Sequence, residues 1–222
     1  MKFPLKKREQ LLKKVFRRKR SNRLKYSITV PRTVKEAYAS DKLNGNHFRA
    51  KAIEKEMGNV MVAFKPFGMG AAPPDNYKEI PLRMIFDVKM DFTRKARLVA
   101  GGRLTDPPEA LTYSSVVSCD SIWLAFMLAK LNDLAMISTN IRNAYLNAEV
   151  TEKNYAIAGP KFGELQGCTV VVVNALYRLK SAGAAWNHHL TNELMQLEFE
   201  PDPANPDVWP RAHVELDGTK YY

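Results

Sequence analysis

Three stretches of the chain place apolar residues every three or four positions, which is the spacing of one face of an α-helix. They cover residues 47–57, 121–131 and 181–197, and a shorter helix is predicted over residues 33–40. Ser118 or Asp120 is the predicted N-cap of the second long helix. The inward faces predicted for the long helices consist of Phe48, Ala52, Ile53 and Met57, of Ile122, Leu124, Ala125, Leu128 and Leu131, and of Trp186, Leu190, Leu194 and Leu197.

Between the helical stretches lie segments with strand composition. Residues 82–89 and 93–100 are joined by a tight connection, which predicts a β-hairpin. Residues 169–173 form a continuous β-branched run, typical of a buried strand. Shorter strands are predicted at residues 60–64, 153–158, 208–209 and 213–216, a loop at 66–77, and a turn at Asp217-Gly218. Because helices and strands are interleaved without a regular βαβ alternation, the expected fold class is α+β.

Asn140 follows an apolar stretch, residues 134–137, that predicts the end of a buried strand. Many enzymes hold a metal-binding carboxylate where a strand end delivers a polar side chain to a cleft. Here the side chain is an amide, which carries no negative charge.

Composition narrows the class of protein. With 222 residues, 45% of them apolar and 26% charged, the chain is expected to form one globular domain, alone or with a tail. No run of about 18 uncharged apolar residues occurs, so no membrane span is predicted. Cys119 and Cys168 lie in no metal-ligand spacing and the four histidines form no HxxxH pattern, so a zinc site is not expected. The two cysteines are interpreted as reduced core thiols of an intracellular protein, located in the nucleus or the cytoplasm.

Positive charge is concentrated at the N-terminus. The formal net charge is +11, and residues 1–25 alone contain twelve Lys or Arg and one Glu, so residues 26–222 are neutral overall. This tail is interpreted as a nuclear-localisation signal or as an arm that contacts nucleic acid non-specifically. The cations predicted to make that contact are Lys13, Lys14, Arg17, Arg18, Lys19 and Arg20. A solvated tail, an upstream segment and a mitochondrial presequence are the alternatives.

Four blocks in a fixed order give the chain a family resemblance. They are TVKEAYASDKLNGNHFRAKAIEKEM; MIFDVKMDFTRKARLVAGG with LTDPP; NAYLNAEV with AGPKFG; and ALYRLKSAGAAW with DPANPDVW. From about residue 31 to 222 the sequence resembles the reverse transcriptase domain of copia-type retrotransposon polyproteins. The resemblance implies a right-hand polymerase of fingers plus partial palm over residues 26–222. Residues 1–25 precede it as a basic tail that their composition predicts to be disordered.

The resemblance also implies a reaction. Such enzymes use two Mg²⁺ or Mn²⁺ ions to join a nucleotide to a DNA primer on an RNA template. The family's first metal-binding aspartate falls on Asn140, and its other two carboxylates, from a YVDD-like hairpin, would follow Tyr222. We therefore expect a truncated domain that lacks the catalytic hairpin and everything after it and retains no metal.

The resemblance assigns nucleotide binding to Lys95, Arg97, Tyr145, Lys180 and Ser181. Lys95 and Arg97 would approach the triphosphate, with Lys89 and Arg94 as second choices, and the alternative is ordinary exposed strand charges. Tyr145 would lie under the sugar or pack as a core aromatic. Lys180 and Ser181 sit at the turn into a helix that lines the pocket. Arg178 replaces a small residue, usually Gly, of the family pattern, and Arg142 replaces a Gly of related copies. Both put bulky cations where the backbone needs close approach, and the alternative is that they face solvent.

Three functions follow as hypotheses. The chain is a catalytically inactive remnant of a copia-type reverse transcriptase, a fragment of a longer active reading frame, or a non-enzymatic nucleic-acid-binding protein acting through its tail.

Overall fold

The computed structural model describes residues 23–102, 105, 112, 114–214, 218 and 220–221. Two compact units divide the chain: one combines residues 1–58 with 84–98, and the other combines residues 59–83 with 99–222. We refer to them as unit 1 and unit 2. The chain crosses from one unit to the other three times, so neither unit is a continuous stretch of sequence.

The described part is a mixed α and β structure with small sheets, and the predicted α+β class is confirmed. In chain order the strands and helices are β1 Arg23–Lys25, β2 Ile28–Val30, α1 Val34–Leu43, α2 Phe48–Val60, β3 Phe64–Met69, β4 Lys78–Glu79, β5 Leu82–Val88, β6 Arg94–Ala100, α3 Cys119–Leu131, β7 Asn154–Ile157, β8 Cys168–Val172, α4 Ala182–Gln196, β9 His213–Val214 and β10 Lys220–Tyr221. Short 3₁₀ turns occur at Met61–Ala63, Ala144–Asn147 and Pro160–Leu165.

Unit 1 is built around a buried arginine. Arg49 is 2% exposed, and its guanidinium donates hydrogen bonds to the carbonyl oxygens of Thr29 (2.6 Å) and Asp87 (3.2 Å). The Asp41 carboxylate accepts from the backbone N–H groups of Arg49 and Ala50, both at 2.9 Å, and so satisfies donors that the first turn of α2 leaves free. The start of α2 is thereby tied to the β1–β2 hairpin and to β5.

The far end of the β5–β6 hairpin also belongs to unit 1. Its turn closes with a hydrogen bond from Lys89 N to Thr93 O at 3.0 Å. Phe92 lies in this turn with φ +61°, in the left-handed region that bulky residues rarely adopt. Lys25 of β1 forms a 2.7 Å ion pair with Asp87 of β5. The predicted hairpin is confirmed, and β1, which the sequence places in the basic tail, begins at Arg23.

Unit 2 contains a four-stranded sheet in the order β3-β8-β7-β4. β8 runs antiparallel to both β3 and β7, and β4 pairs in parallel with β7. All five residues of β8 are buried, as its continuous apolar run predicts. The predicted strand at 60–64 is wrong: a 3₁₀ turn precedes β3, which starts at Phe64 and extends into the predicted loop.

The four predicted helices are formed, and the Ser118 hydroxyl caps α3 by accepting from Ser121 N at 3.0 Å. The predicted inward face of α3 is wrong, however, and Phe48 and Leu197, which are predicted to face inward on the other two long helices, are exposed as well. Large apolar side chains are exposed on every side of α3, and Ala129 is its one buried residue. Those exposed are Ile122, Trp123, Leu124, Phe126, Met127, Leu128 and Leu131. Cys119 at the start of α3 is exposed, so the prediction of a core thiol is wrong there, whereas Cys168 is buried.

Of the shorter predicted strands, residues 208–209 form none, whereas β7 lies within 153–158. Of the predicted strand 213–216, His213–Val214 form β9, which pairs with β10 so that Val214 lies opposite Lys220, and residues 215–217 lie outside the described residues. Within the described residues no helix combines the length and apolar character needed to cross a bilayer.

Candidate nucleotide-binding site

Two of the predicted nucleotide-binding residues lie on β6 in unit 1. Lys95 and Arg97 are two positions apart, so their side chains project from the same face of the strand. Both are half-buried. Burial, followed by the positive charges of Arg97 and Lys89, lowers the pKa of the Lys95 ammonium. This face of β6 therefore concentrates positive charge, an arrangement suited to an anion.

A carboxylate from α2 supports the same strand. Glu56 accepts a hydrogen bond from the backbone N–H of Leu98 at 2.9 Å. Burial raises the pKa of Glu56, while that hydrogen bond and the charges of Arg97 and Lys95 lower it. Glu56 thus fixes the position of β6 and offsets part of its positive charge, a role that the sequence did not reveal.

Asn140 does not stand at a strand end. The strand predicted over residues 134–137 is not formed, and no described residue pairs with it in a ladder. Ile137 is 93% exposed, and Asn140 is exposed as well. An apolar run becomes a buried strand only where a neighbouring strand supplies its backbone hydrogen bonds.

Tyr145 lies in the 3₁₀ turn Ala144–Asn147 and is half-buried. Its ring meets that of Tyr177 edge-to-face, with centroids 5.7 Å apart. Asn143 precedes the turn at φ +55°, a conformation that asparagine tolerates better than most residues. Placement beneath a nucleotide sugar stays a prediction, because a packed aromatic also fits this position.

Lys180 and Ser181 lie where the chain enters α4. The Lys180 ammonium donates to the carbonyl oxygen of Thr105 at 2.6 Å. Ser181 is 8% exposed, and its hydroxyl has no hydrogen-bond partner among the described residues. Just before them, Arg178 adopts φ +73°, a backbone conformation that glycine adopts without strain. Arg142, which the resemblance also places at a glycine position, has no positive φ.

The predicted site residues are thus divided between the two units. Lys95 and Arg97 belong to unit 1, whereas Asn140, Tyr145, Lys180 and Ser181 belong to unit 2. The tail cations lie outside the described residues: Lys13, Lys14, Arg17, Arg18, Lys19 and Arg20.

A two-metal centre needs several hard, anionic oxygen ligands held together. In the part of the chain that the structure describes, no three His, Cys, Asp or Glu side chains lie close enough to hold a metal ion. Asn140 itself supplies only a neutral amide on an exposed segment. The described residues do not fit a pair of Mg²⁺ or Mn²⁺ ions.

Unit 1 contains a cavity that the sequence analysis does not predict. It lies between α2 and the turn of the β5–β6 hairpin, and Phe48, Lys51 and Lys55 line it from the helix. The signal that could have found it is the spacing of these three residues, which places them on one face of α2.

Comparisons with known proteins agree with the resemblance. Residues 70–216 match the family described as reverse transcriptase (RNA-dependent DNA polymerase). Over 124 residues, 55% of this chain, the sequence is 30% identical to the Transposon Ty1-DR4 Gag-Pol polyprotein of Saccharomyces cerevisiae strain S288c, and the match covers 8% of that polyprotein. The Transposon TyH3 Gag-Pol polyprotein of Saccharomyces cerevisiae matches with the same identity over the same share of this chain and 7% of its own length.

The chain therefore spans less than a tenth of the curated relatives it matches. No solved structure matches it. Because the family match extends over more than half of its residues, the chain belongs to the reverse transcriptase family of copia-type retrotransposons.

Proposed function

We propose that this chain is part of the RNA-directed DNA polymerase of a copia-type retrotransposon. Residues 26–222 correspond in this proposal to the fingers and part of the palm of a right-hand polymerase, acting inside the cell on an RNA template and a DNA primer. The family match supports it. So does the β5–β6 hairpin, on which Lys95 and Arg97 form a half-buried basic face suited to a triphosphate.

We further propose that the chain as given does not catalyse nucleotide addition. Asn140 carries this part of the proposal, since it is a neutral amide on an exposed segment. In the family, two divalent metals lower the charge barrier to attack by the primer hydroxyl. Mg²⁺ binds weakly without carboxylate ligands, so an amide here removes both affinity and electrostatic stabilisation.

Primer extension tests this proposal directly. The purified full chain is given an RNA template, a labelled DNA primer, all four deoxynucleotides, and Mg²⁺ or Mn²⁺. We expect no extended product above the level of a protein-free reaction. Template-dependent synthesis that copurifies with the chain would refute inactivity.

A second assay distinguishes the effect of the amide at position 140 from the effect of the length of the chain. The transcript is sequenced beyond the codon for Tyr222, and any longer product is expressed with and without Asn140→Asp. Extension by the Asn140→Asp protein alone assigns the defect to the amide. Extension by both proteins identifies a fragment of an active enzyme.

The charge distribution favours a second candidate function, non-enzymatic binding of nucleic acid through the tail. The first 25 residues carry the whole excess of positive charge. Binding that depends on counterion release weakens steeply as salt is raised. Deleting residues 1–25 is expected to abolish most of the affinity for a labelled oligonucleotide and to flatten its salt dependence. Unchanged affinity after the deletion would remove this candidate.

A further inference from the structure

Glu56 of α2 lies at the free edge of β6, beside the face of β6 that carries Lys95 and Arg97, and all of these residues belong to unit 1. We refer to this face as the Lys95–Arg97 face. β6 pairs with β5 alone in a two-stranded sheet, so its other edge has no neighbouring strand. The backbone N–H of Leu98 donates to the Glu56 carboxylate at 2.9 Å. A carboxylate thus stands where a third strand would supply a carbonyl oxygen.

The hydrogen bond alone does not require a charged acceptor, because the side-chain carbonyl of a glutamine can also accept it. Burial of the half-buried Glu56 raises its pKa, and this is the largest effect on the group. The hydrogen bond from Leu98, and then the positive charges of Arg97 and Lys95, lower that pKa in part. The ionised form of Glu56 is therefore supported by the charge of the Lys95–Arg97 face.

The coupling also acts in the other direction. Burial, Arg97 and Lys89 lower the pKa of Lys95, whereas Asp87 and Glu56 raise it. The Lys95 ammonium itself forms no hydrogen bond or ion pair with another described residue. The three cations and two carboxylates of this group have a formal charge of +1, which becomes +2 when one carboxylate takes up a proton.

Of the two carboxylates, Glu56 is the one that changes its charge above pH 4.5. Lys25 donates to the Asp87 carboxylate at 2.7 Å, and this bond is the largest effect that lowers the pKa of Asp87 below its ordinary value of 3.8. The pKa of Glu56 instead lies above its ordinary value of 4.5. Asp87 therefore stays ionised while Glu56 titrates, and Glu56 sets the charge beside the Lys95–Arg97 face.

We propose that Glu56 couples proton uptake to anion binding on the Lys95–Arg97 face, which binds a polyphosphate more tightly when Glu56 is protonated. An anion on this face neutralises the cations that support the ionised carboxylate, so Glu56 takes up a proton from the buffer. By reciprocity, the protonated carboxyl strengthens anion binding by the same factor. The inference rests on the proposed triphosphate-binding role of this face. Glu56 acts through Lys95 and Arg97, which makes it a positioning residue.

The Leu98 amide reports this coupling locally, because its proton lies in the hydrogen bond to Glu56. The full chain with isotope-labelled leucine is titrated with acid in the absence of divalent metals, with and without inorganic tripolyphosphate, and its amide resonances are recorded by NMR. Leu98→Met identifies the resonance by its loss. We expect its titration midpoint to lie above pH 4.5 in the free protein and to rise by about one pH unit with the anion. An unchanged midpoint in the presence of bound anion would overturn the inference.

Lys95→Ala tests whether the rise depends on the Lys95–Arg97 face. We expect tripolyphosphate to raise the midpoint of the Leu98 titration much less in this variant than in the wild type. Lys35→Ala, which removes an exposed lysine of α1, is the matched control and should leave the rise intact. A full rise in Lys95→Ala would place the anion elsewhere and overturn the inference.

Glu56→Gln tests the effect on affinity, because glutamine keeps an acceptor for Leu98 and mimics the protonated carboxyl. We expect half-saturation of the Leu98 shift to need equal tripolyphosphate in both proteins at low pH. At neutral pH the wild type should need about tenfold more, the factor that corresponds to one pH unit. The comparison removes the titration of the anion itself, which is common to both proteins. Glu54→Gln, an exposed change on α2, should behave as the wild type.

The outcomes distinguish failure of the inference from failure of the proposed function. Binding that weakens equally in wild type and Glu56→Gln as the pH rises would assign the effect to Lys95 or to the anion and overturn the inference alone. If Leu98 responds to tripolyphosphate in none of the proteins, both the triphosphate-binding role of the face and the inference fall.

Thymidine triphosphate in place of tripolyphosphate distinguishes a nucleotide from an inorganic polyphosphate. We expect an equal rise of the Leu98 midpoint, since the coupling depends on the charge of the phosphates. A rise with tripolyphosphate alone would support the coupling for inorganic polyphosphate and remove the nucleotide-binding role of Lys95 and Arg97.

Discussion

A Cβ atom on Gly102 would overlap the carbonyl oxygen of Arg178, so these two backbone positions must meet without a side chain between them. The contact joins the segment that leaves β6 to the segment that enters α4. Ala100 N donates to Tyr177 O at 3.0 Å just beside it. Both residues belong to unit 2, and the junction depends on one of them being glycine.

Gly102→Ala is expected to destabilise unit 2 by about 2 kcal/mol or more, since the new methyl group forces backbone atoms apart. Urea unfolding monitored by tryptophan fluorescence measures the change. Gly159→Ala is the matched control in the same unit, because a Cβ there meets no atom within 4 Å. Equal stability of the two variants would contradict the overlap.

Arg178→Gly is expected to stabilise the chain by about 0.5–1 kcal/mol. Relieving the strain of the left-handed conformation at φ +73° gains more free energy than is lost through the extra conformational entropy that glycine gives the unfolded chain. Arg178→Ala removes the same charge but keeps a Cβ, so it should give no gain. The midpoints of urea unfolding of the two variants decide between backbone strain and charge.

Glu56→Gln is expected to change how stability depends on pH. Burial raises the pKa of Glu56 above its ordinary value of 4.5, against the opposing hydrogen bond from Leu98. Because the folded pKa lies above the unfolded one, this contribution to stability is complete below pH 4.5 and is lost as the pH rises through the folded value. The glutamine variant keeps an acceptor for Leu98 and should gain stability relative to the wild type over that window.

Urea titrations at a series of pH values measure this relative gain. Glu54→Gln, an exposed change on the same helix, is the matched control. The same pH trend in both variants would exclude a specific contribution of Glu56.

The exposed apolar surface formed by α3 and by residues 134–137 after it is expected to promote self-association of the chain. Leu131→Lys and Ile137→Lys change side chains that are 73% and 93% exposed, so each should lower the light-scattering mass while leaving the circular dichroism spectrum intact. Ala129→Lys, at the one buried position of α3, should instead lose helical signal. Unchanged association of the first two variants would show that other surfaces are responsible.

The sequence predicts helices and strands best where the pattern lies among neighbouring residues. The helices follow from apolar periodicity, Ser118 from capping chemistry, and β8 from a β-branched run whose burial is complete. The hairpin follows from two strand-like stretches with a short connection, although nothing in the sequence indicates that Phe92 would be the turn residue with a positive φ.

The failures have three physical causes. Residues 134–137 and α3 are apolar. An apolar sequence indicates that a segment favours burial, but it does not identify the element that would pack against it. β4 and the β1–β2 hairpin are too short to leave a pattern. The Glu56–Leu98 hydrogen bond joins residues 42 positions apart and has no local signature.

The candidate functional residues likewise include some that the sequence reveals and some that only the structure shows. Motif matching identified Lys95, Arg97 and Lys180, whose roles stay predictions, but it could not assign them to separate compact units. The Phe48, Lys51 and Lys55 face of α2 has a helical spacing that is readable in the sequence. Its partners on the hairpin come from residues about 40 positions away, so the cavity itself appears only in three dimensions.

The three crossings between the units constrain how this sequence can be divided. A gene fragment that ends between residues 61 and 83 encodes α1 and α2 without the hairpin that completes their unit. Conversely, cutting out residues 59–83 would join two parts of unit 1 while removing β3 and β4 from the sheet of unit 2. A single cut in the chain therefore cannot separate the two units intact.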